Sequence, residues 1–224
     1  MRNLMLVIFD LDGVLTETSY QHYLAWKELA QSIGIDLNIE LNERLKGVSR
    51  DDSVNLILHH GNKIDLYNDK QKKELSEIKN TNYVERIKHF TEGNLFEGVQ
   101  QLLNELKMNN IKIALGSASR NAPDLLKSLK ISDFFDYIVD PQTVKGKPAP
   151  DIYLKAAQHF GIPAENCIGI EDAVSGVEAI KSARMFAIGI GDKKTLNKAN
   201  FIVNSISDLS YTKIIEVFYM SQFK

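Results

Sequence analysis

Cysteine is almost missing from this chain. The 224 residues include one, Cys167, so no internal disulfide can staple the fold, and its place in an apolar run marks it as a small core residue rather than a nucleophile. Charge of one sign is missing too. The 27 Lys and Arg against 29 Asp and Glu leave a formal net charge of −2, and the nearest thing to a basic cluster, Lys70, Lys72 and Lys73, is diluted by Asp69 and Glu74. That pattern is a solvated helix face and excludes the electrostatic footprint of a nucleic-acid binder. Long apolar runs are absent: the first, Leu4 to Phe9, stops at Asp10, too short to span a bilayer and without the small-residue pattern of a cleaved targeting segment. There is no internal repeat, low-complexity tract or Ser/Gly linker. The expectation is a cytoplasmic protein, taken as a monomer, that engages neither nucleic acid nor membrane. With 44% hydrophobic residues, it can bury one substantial core and a smaller second one.

The most informative stretch present is Val7-Ile8-Phe9-Asp10-Leu11-Asp12-Gly13-Val14-Leu15-Thr16. Leu4 to Phe9 is short, continuously apolar and rich in branched residues, the pattern of a strand buried on both faces. Asp10 and Asp12 then lie just beyond its carboxyl end, where open α/β sheets bind ligands. An Asp-x-Asp there suits a divalent cation and a division of nucleophile from acid/base duty. A turn capping a helix explains the tripeptide alone equally well.

Three later segments carry what phosphoryl transfer at an aspartate requires. Ile111 to Leu115 reads as a strand running into Gly116-Ser117-Ala118-Ser119, with Asn121 and Pro123 as helix-start signals. Ser117 and the following backbone N–H groups suit phosphate oxygens. In Lys147-Pro148-Ala149-Pro150-Asp151 a residue preceding proline is held extended before a helix, and Lys147 supplies a positive charge. Cys167 to Ile170 is another short apolar run, ending in Glu171-Asp172, the right ligands for a hard cation such as Mg²⁺.

Organisation along the chain predicts an insertion rather than two consecutive domains. Residues 1–16 and 93–224 alternate strand and helix patterns, which implies a parallel, doubly wound, Rossmann-like α/β sheet with helices on both faces. Residues 17–92 are helical throughout, with helices over Tyr20 to Ile33, Leu41 to Leu45, Arg50 to His60 and Asp69 to Phe90. In the first of these Trp26 reads as packing. This α-helical cap leaves the core just after the catalytic strand.

With these four motifs in this order, the chain resembles the haloacid dehalogenase superfamily of aspartyl phosphotransferases, in its helical-cap subclass, over essentially its whole length. The resemblance implies that Asp10 is the phosphorylated nucleophile and Asp12 the general acid/base. It further implies Mg²⁺ held by the Asp10 side chain, the Asp12 carbonyl and Asp172, with Glu171 close by. Within the cap, Thr16-x-Thr18, His22-Tyr23-x-Ala25-Trp26, Leu45-Lys46-Gly47-Val48-Ser49-Arg50 with Asp52-Ser53, and Lys79-Asn80 closely resemble the β-phosphoglucomutase subgroup. Two cations around a glycine suit a second phosphate, which a hydrolase of small monophosphates has less need to grip.

That resemblance implies interconversion of β-glucose 1-phosphate and glucose 6-phosphate through β-glucose 1,6-bisphosphate, which also serves as primer. His22 would position Asp12. Thr18, Leu45, Lys46, Gly47, Val48, Ser49, Arg50, Ser53 and Lys79 would meet sugar and the phosphate that is not transferring. Ser117, Ala118, Ser119, Arg120 and Asn121 would hold phosphate from the core side, and Lys147 would neutralise the transferring group. Ala173 and Gly116 depart from the subgroup's common Ser and Ala without removing a charged or nucleophilic group. A small-phosphoester phosphatase of the same superfamily uses the same aspartates and is the alternative. A non-catalytic binding module would be free to lose Asp10 or Asp12, and both are present.

Overall fold

The computed structural model describes residues 3–221. Its sheet is built from short apolar runs: β1 (Leu6–Phe9), β2 (Lys112–Leu115), β3 (Tyr137–Ile138), β4 (Cys167–Glu171), β5 (Phe186–Ile190) and β6 (Phe201–Val203). They pair in parallel in the order β3-β2-β1-β4-β5-β6. Strand direction of travel reverses between β1 and β4, so the crevice above their carboxyl ends is the topological switch point where such sheets bind ligands.

The apolar runs are continuous because the sheet is covered on both faces. Val7 and Phe9 of β1 pack with Leu102, Leu106 and Phe218 from helices α5 (Val99–Met108) and α9 (Tyr211–Met220), joined by Leu125 and Leu126 of α6 (Ala122–Ser128). Leu6 and Ile8 point the other way, into Ile152 and Tyr153 of α7 (Asp151–Phe160) and Val177 and Ile180 of α8 (Val174–Ser182).

Between β1 and α5 the chain forms α1 (Ser19–Ser32), α2 (Ile39–Leu45), α3 (Arg50–His60) and α4 (Asp69–Ile87). These four helices have a core of their own, in which Trp26, Leu29, Leu41, Leu45, Val54, Ile57 and Leu75 are buried. The outgoing and returning passages meet: Thr16 bridges antiparallel to Leu95, the Phe96 N–H donates to the Leu15 carbonyl at 3.0 Å, and Thr16 Oγ1 donates to the Asn94 carbonyl at 2.6 Å. Ala25, Tyr83 and Ile87 join the sheet's own core, tying α1 and α4 to the layer below.

The pattern-based elements recur with small shifts at their ends. The first strand begins at Leu6 rather than Leu4, α4 stops at Ile87 rather than Phe90, and α6 starts at Ala122, between the Asn121 and Pro123 start signals. Among the described residues, no helix is long and apolar enough to cross a membrane.

Candidate active site

Asp10 reaches the crevice because its backbone continues the sheet ladder one step past β1: its N–H donates to the Ile170 carbonyl at 3.0 Å, and Gly116 N–H donates to the Phe9 carbonyl at 2.8 Å. The ends of β1, β2 and β4 are thereby stitched together. Asp10, the Ser117 turn and Glu171-Asp172 consequently surround one point. From the neighbouring connection comes Lys147, whose bond to Pro148 is cis. Its Nζ donates to Asp10 Oδ1 at 2.6 Å and to Glu171 Oε1 at 2.5 Å, with both partners buried.

Glu171 is the most fully engaged of the acids. Its Oε1 also accepts from Tyr153 Oη at 3.1 Å, while Oε2 accepts the backbone N–H groups of Asp172 and Ala173, each at 3.0 Å. These contacts make it the anchor that aims Lys147 at Asp10. Oxygens of Asp10, Glu171 and Asp172 nevertheless lie within 4.8 Å of one another. Lys147 thus bridges two of these three crowded carboxylates. Burial first, then the neighbouring acids, push Asp10 up to about 7 despite Lys147, and burial with Glu171 and Asp10 holds Asp172 well above the ordinary carboxylate range. This surplus of hard, crowded oxygens fits a divalent cation, whose charge would relieve the repulsion. Lys147 stays protonated: burial opposes its charge, but Asp10 and Glu171 more than offset that and raise its pKa well above the usual value.

Gly13 makes this crowding possible. It has φ +81°, and a Cβ there would stand 2.1 Å from Asp172 Oδ2. The turn after Asp12 can therefore approach Asp172 only with glycine at this position.

Asp12 faces the helical layer rather than the cation cluster. Thr18 Oγ1 donates to its Oδ1, and His22 Nε2 lies 3.5 Å from the same oxygen. Lys79 Nζ stands 2.6 Å from His22 Nδ1, and as an ammonium it can only donate. While Lys79 is charged this sets the tautomer, with the remaining ring proton on Nε2 facing Asp12. Burial, then Lys79, lower the His22 pKa, so the imidazole is neutral. For Asp12, burial raises the pKa but His22, Thr18 and Lys79 together outweigh it, and the carboxyl sits below its ordinary value. These neighbours therefore hold Asp12 as a carboxylate.

Opposite the aspartates, the cavity is walled by Lys46, Gly47, Val48 and Leu45 from the α2–α3 turn, by Arg50 at the start of α3 and by Lys79 on α4. Ala118, Ser119, Arg120 and Asn121 close it from the core side. The α2–α3 turn rests directly on the core. Ser175 Oγ donates to the Lys46 carbonyl at 2.8 Å, and a Cβ on Gly47, which has φ +71°, would come within 2.6 Å of that hydroxyl.

Other expected residues stand behind the cavity wall. Thr18 and Ser53 are buried, Ser117 Oγ accepts from the Ser119 N–H at 3.0 Å, and Ser49 caps α3 through the Asp52 N–H at 3.2 Å. Sequence reasoning missed Ser19 and Asn42, which line the cavity, and Tyr153, which acts through its lining; it placed Asn80 beside Lys79 in a motif of the helical layer, without its contacts to Arg50 and Asn121. A lone amide or hydroxyl on an amphipathic helix carries no local signal. Trp26 lines the cavity as well as packing in the helical core, and Lys79 Nζ lies 4.7 Å above its ring.

Comparison with known proteins agrees with this geometry. The profile of a haloacid dehalogenase-like hydrolase family matches residues 4–184. The chain is similar to a beta-phosphoglucomutase of Bacillus subtilis (strain 168), with 47% identity over 91% of each chain. It is 31% identical, over 88% of its length and 91% of the relative's, to a phosphorylated carbohydrates phosphatase of Thermotoga maritima. Among solved structures, the beta-phosphoglucomutase of Clostridium difficile superposes with a TM-score of 0.96 at 44% identity, covering 99% of this chain and 100% of that one.

Proposed function

Because the chain belongs to the haloacid dehalogenase-like hydrolase family, we propose that it is an isomerase of the β-phosphoglucomutase kind, interconverting β-D-glucose 1-phosphate and β-D-glucose 6-phosphate. The observation that carries this reading is the two-sided cavity. Asp10, Asp12 and Lys147 serve one phosphoryl group, while Lys46 and Arg50 from the helical layer and Arg120 from the core supply cations for a second at the far end. A ligand with a phosphate at each end matches that arrangement, and β-glucose 1,6-bisphosphate is such a ligand.

Phosphomonoesters are among the least reactive biological esters, so about 20 kcal/mol of barrier reduction has to be found. The residues divide the work. An Asp10 carboxylate oxygen attacks phosphorus in line, the P–O bond to the sugar breaks, and the proton needed by the departing oxygen comes from Asp12. Lys147 sits against Asp10 Oδ1 and stabilises negative charge on the transferring group, with the Ser117 turn giving further donors. When the phosphoryl group travels from phospho-Asp10 to the other hydroxyl of the sugar, Asp12 takes that hydroxyl's proton. Because its surroundings favour an ionised Asp12, it gains its proton during turnover by accepting it from an attacking hydroxyl, and returns it to the next leaving oxygen.

Asp10 and Asp172, with Glu171 and the Asp12 carbonyl close by, are the groups that would hold Mg²⁺, which when bound supplies positive charge beside the transferring phosphoryl oxygens. The substrates are soluble metabolites, which supports a cytoplasmic place of work.

A coupled assay for glucose 6-phosphate tests the reading. With Mg²⁺ and a catalytic amount of β-glucose 1,6-bisphosphate, β-glucose 1-phosphate is expected to convert without stoichiometric phosphate release. Release of one phosphate per sugar consumed would make the protein a phosphatase.

A further inference from the structure

The second phosphate's cations come from both layers. Arg50 opens α3, and Arg120 lies in the loop before α6. Behind them stands Asn80 of α4, which does not line the cavity. Its Oδ1 accepts from Arg50 Nη2 at 2.8 Å and from Asn121 Nδ2, also at 2.8 Å. One carboxamide oxygen therefore joins the helical layer to the core at the cavity wall. A second bridge runs alongside it, from Arg120 Nη2 to Asp51 Oδ2 at 2.7 Å. Asn121 begins α6 but its side chain does not cap that helix, leaving its amide to point at Asn80.

Arg50 is only 10% exposed at the side chain, and its one ionic partner among the described residues, Glu77, is 3.4 Å away and mostly exposed. Burial first, then the neighbouring Arg120, disfavour its charge. Asn80 orients this guanidinium through a strong acceptor without discharging it. A carboxylate in the same place would orient it equally well and cancel the attraction for an incoming anion.

We propose that Asn80 is a positioning residue of the distal-phosphate clamp, a neutral acceptor that locks Arg50 to Asn121 across the two layers while leaving the arginine's charge available to phosphate. The inference rests on the mutase reading only for the identity of that anion. It explains why the position needs an amide and not an acid of the same size.

Asn80→Asp is nearly isosteric and retains both acceptor contacts, whereas Asn80→Ala removes them. Calorimetric titration with glucose 6-phosphate should give binding weaker by about tenfold or more for Asn80→Asp and about three- to tenfold for Asn80→Ala, the range expected when a charge-assisted contact is neutralised or misaligned. Turnover at saturating sugar phosphate should stay within about threefold of the unmodified protein, the signature of lost uniform binding. Phosphorylation of Asp10 by acetyl phosphate, a one-phosphate donor, should be unchanged. If Asn80→Asp fails to fold, Asn80→Ala carries the test. Dissociation constants within twofold of the unmodified protein in whichever variants fold would overturn the proposal, as would an equal loss with acetyl phosphate. Failure of the unmodified protein to convert β-glucose 1-phosphate would defeat the mutase reading instead, and the titration series would still decide the role of Asn80.

Discussion

Lys79 shows how far one residue's surroundings can move its chemistry. It is 3% exposed, its Nζ lies 4.7 Å from the ring centres of both Trp26 and Tyr83, and its hydrogen-bond partner is a neutral His22. Burial, followed by Arg50, brings its pKa down to about 7, with Asp12 the opposing attraction. In the unfolded chain the same ammonium keeps its proton until about pH 10.4. Between those values the unfolded state binds more protons than the folded one, so stability rises with pH, by at most about 1.4 kcal/mol per unit from this group. Lys79→Met keeps the volume and the packing and removes the titration. Urea unfolding at pH 7, 8 and 9 should then show the unmodified protein gaining stability over the variant as pH rises. Parallel pH profiles for the two chains would mean that Lys79 is charged throughout.

Elements were readable from the sequence wherever one local pattern decides them. β1 is four apolar residues followed by an acid, and covering helices on both faces leave no polar alternation to confuse it. The strand-end acids followed from that reading, because where a buried strand stops is also where its next side chains meet the crevice. Single-turn 3₁₀ segments such as Glu92–Asn94 and Pro141–Thr143 were not legible, since each rests on one turn and has no periodicity to detect. Nor was the order of the sheet, which depends on pairings such as Leu6 with Cys167 that no local window contains. The Asn80 bridge is hidden for the same reason, its partners lying 30 and 41 residues away. The tight β1–α1 connection carries a prediction of its own. Gly13→Ala would place a methyl against the Asp172 carboxylate on a backbone that disfavours any Cβ. A left-handed alanine costs about 1–2 kcal/mol, so the protein should fold with a modestly lowered Tm. The Mg²⁺ concentration for half-maximal activity should rise about tenfold or more, in line with a disturbed metal-ligand shell. An unaltered Mg²⁺ dependence would show that Asp172 tolerates the displacement.

At the scale of the whole molecule, the problem is to let a phosphoryl group pass between two sugar hydroxyls while keeping it from water. In the proposed reaction the two layers answer it jointly: the core would bring Asp10, Lys147 and the Ser117 turn to the transferring phosphate, while the helical layer seats Lys46 and Gly47 on Ser175 and brings Arg50 over the cavity. Closure of such a layer excludes water and favours a substrate that touches both sides at once. A small one-phosphate ester such as acetyl phosphate, with its phosphoryl group at Asp10, reaches only the core half. Arg50 therefore separates the two activities that this scaffold can support. Arg50→Ala removes a charge-assisted contact to the phosphate that is not transferring, which is expected to lower kcat/KM with glucose phosphates by about 30-fold to 1,000-fold, equivalent to about 2 to 4 kcal/mol. Arg50→Lys keeps the charge but gives up the planar fork that reaches Asn80 and phosphate together, so it should recover only part of the loss. Phosphorylation of Asp10 by acetyl phosphate should be nearly unaffected in both variants. Equal losses for the two donors would make Arg50 a structural residue, and no loss with either would leave a phosphatase as the better account of this cavity.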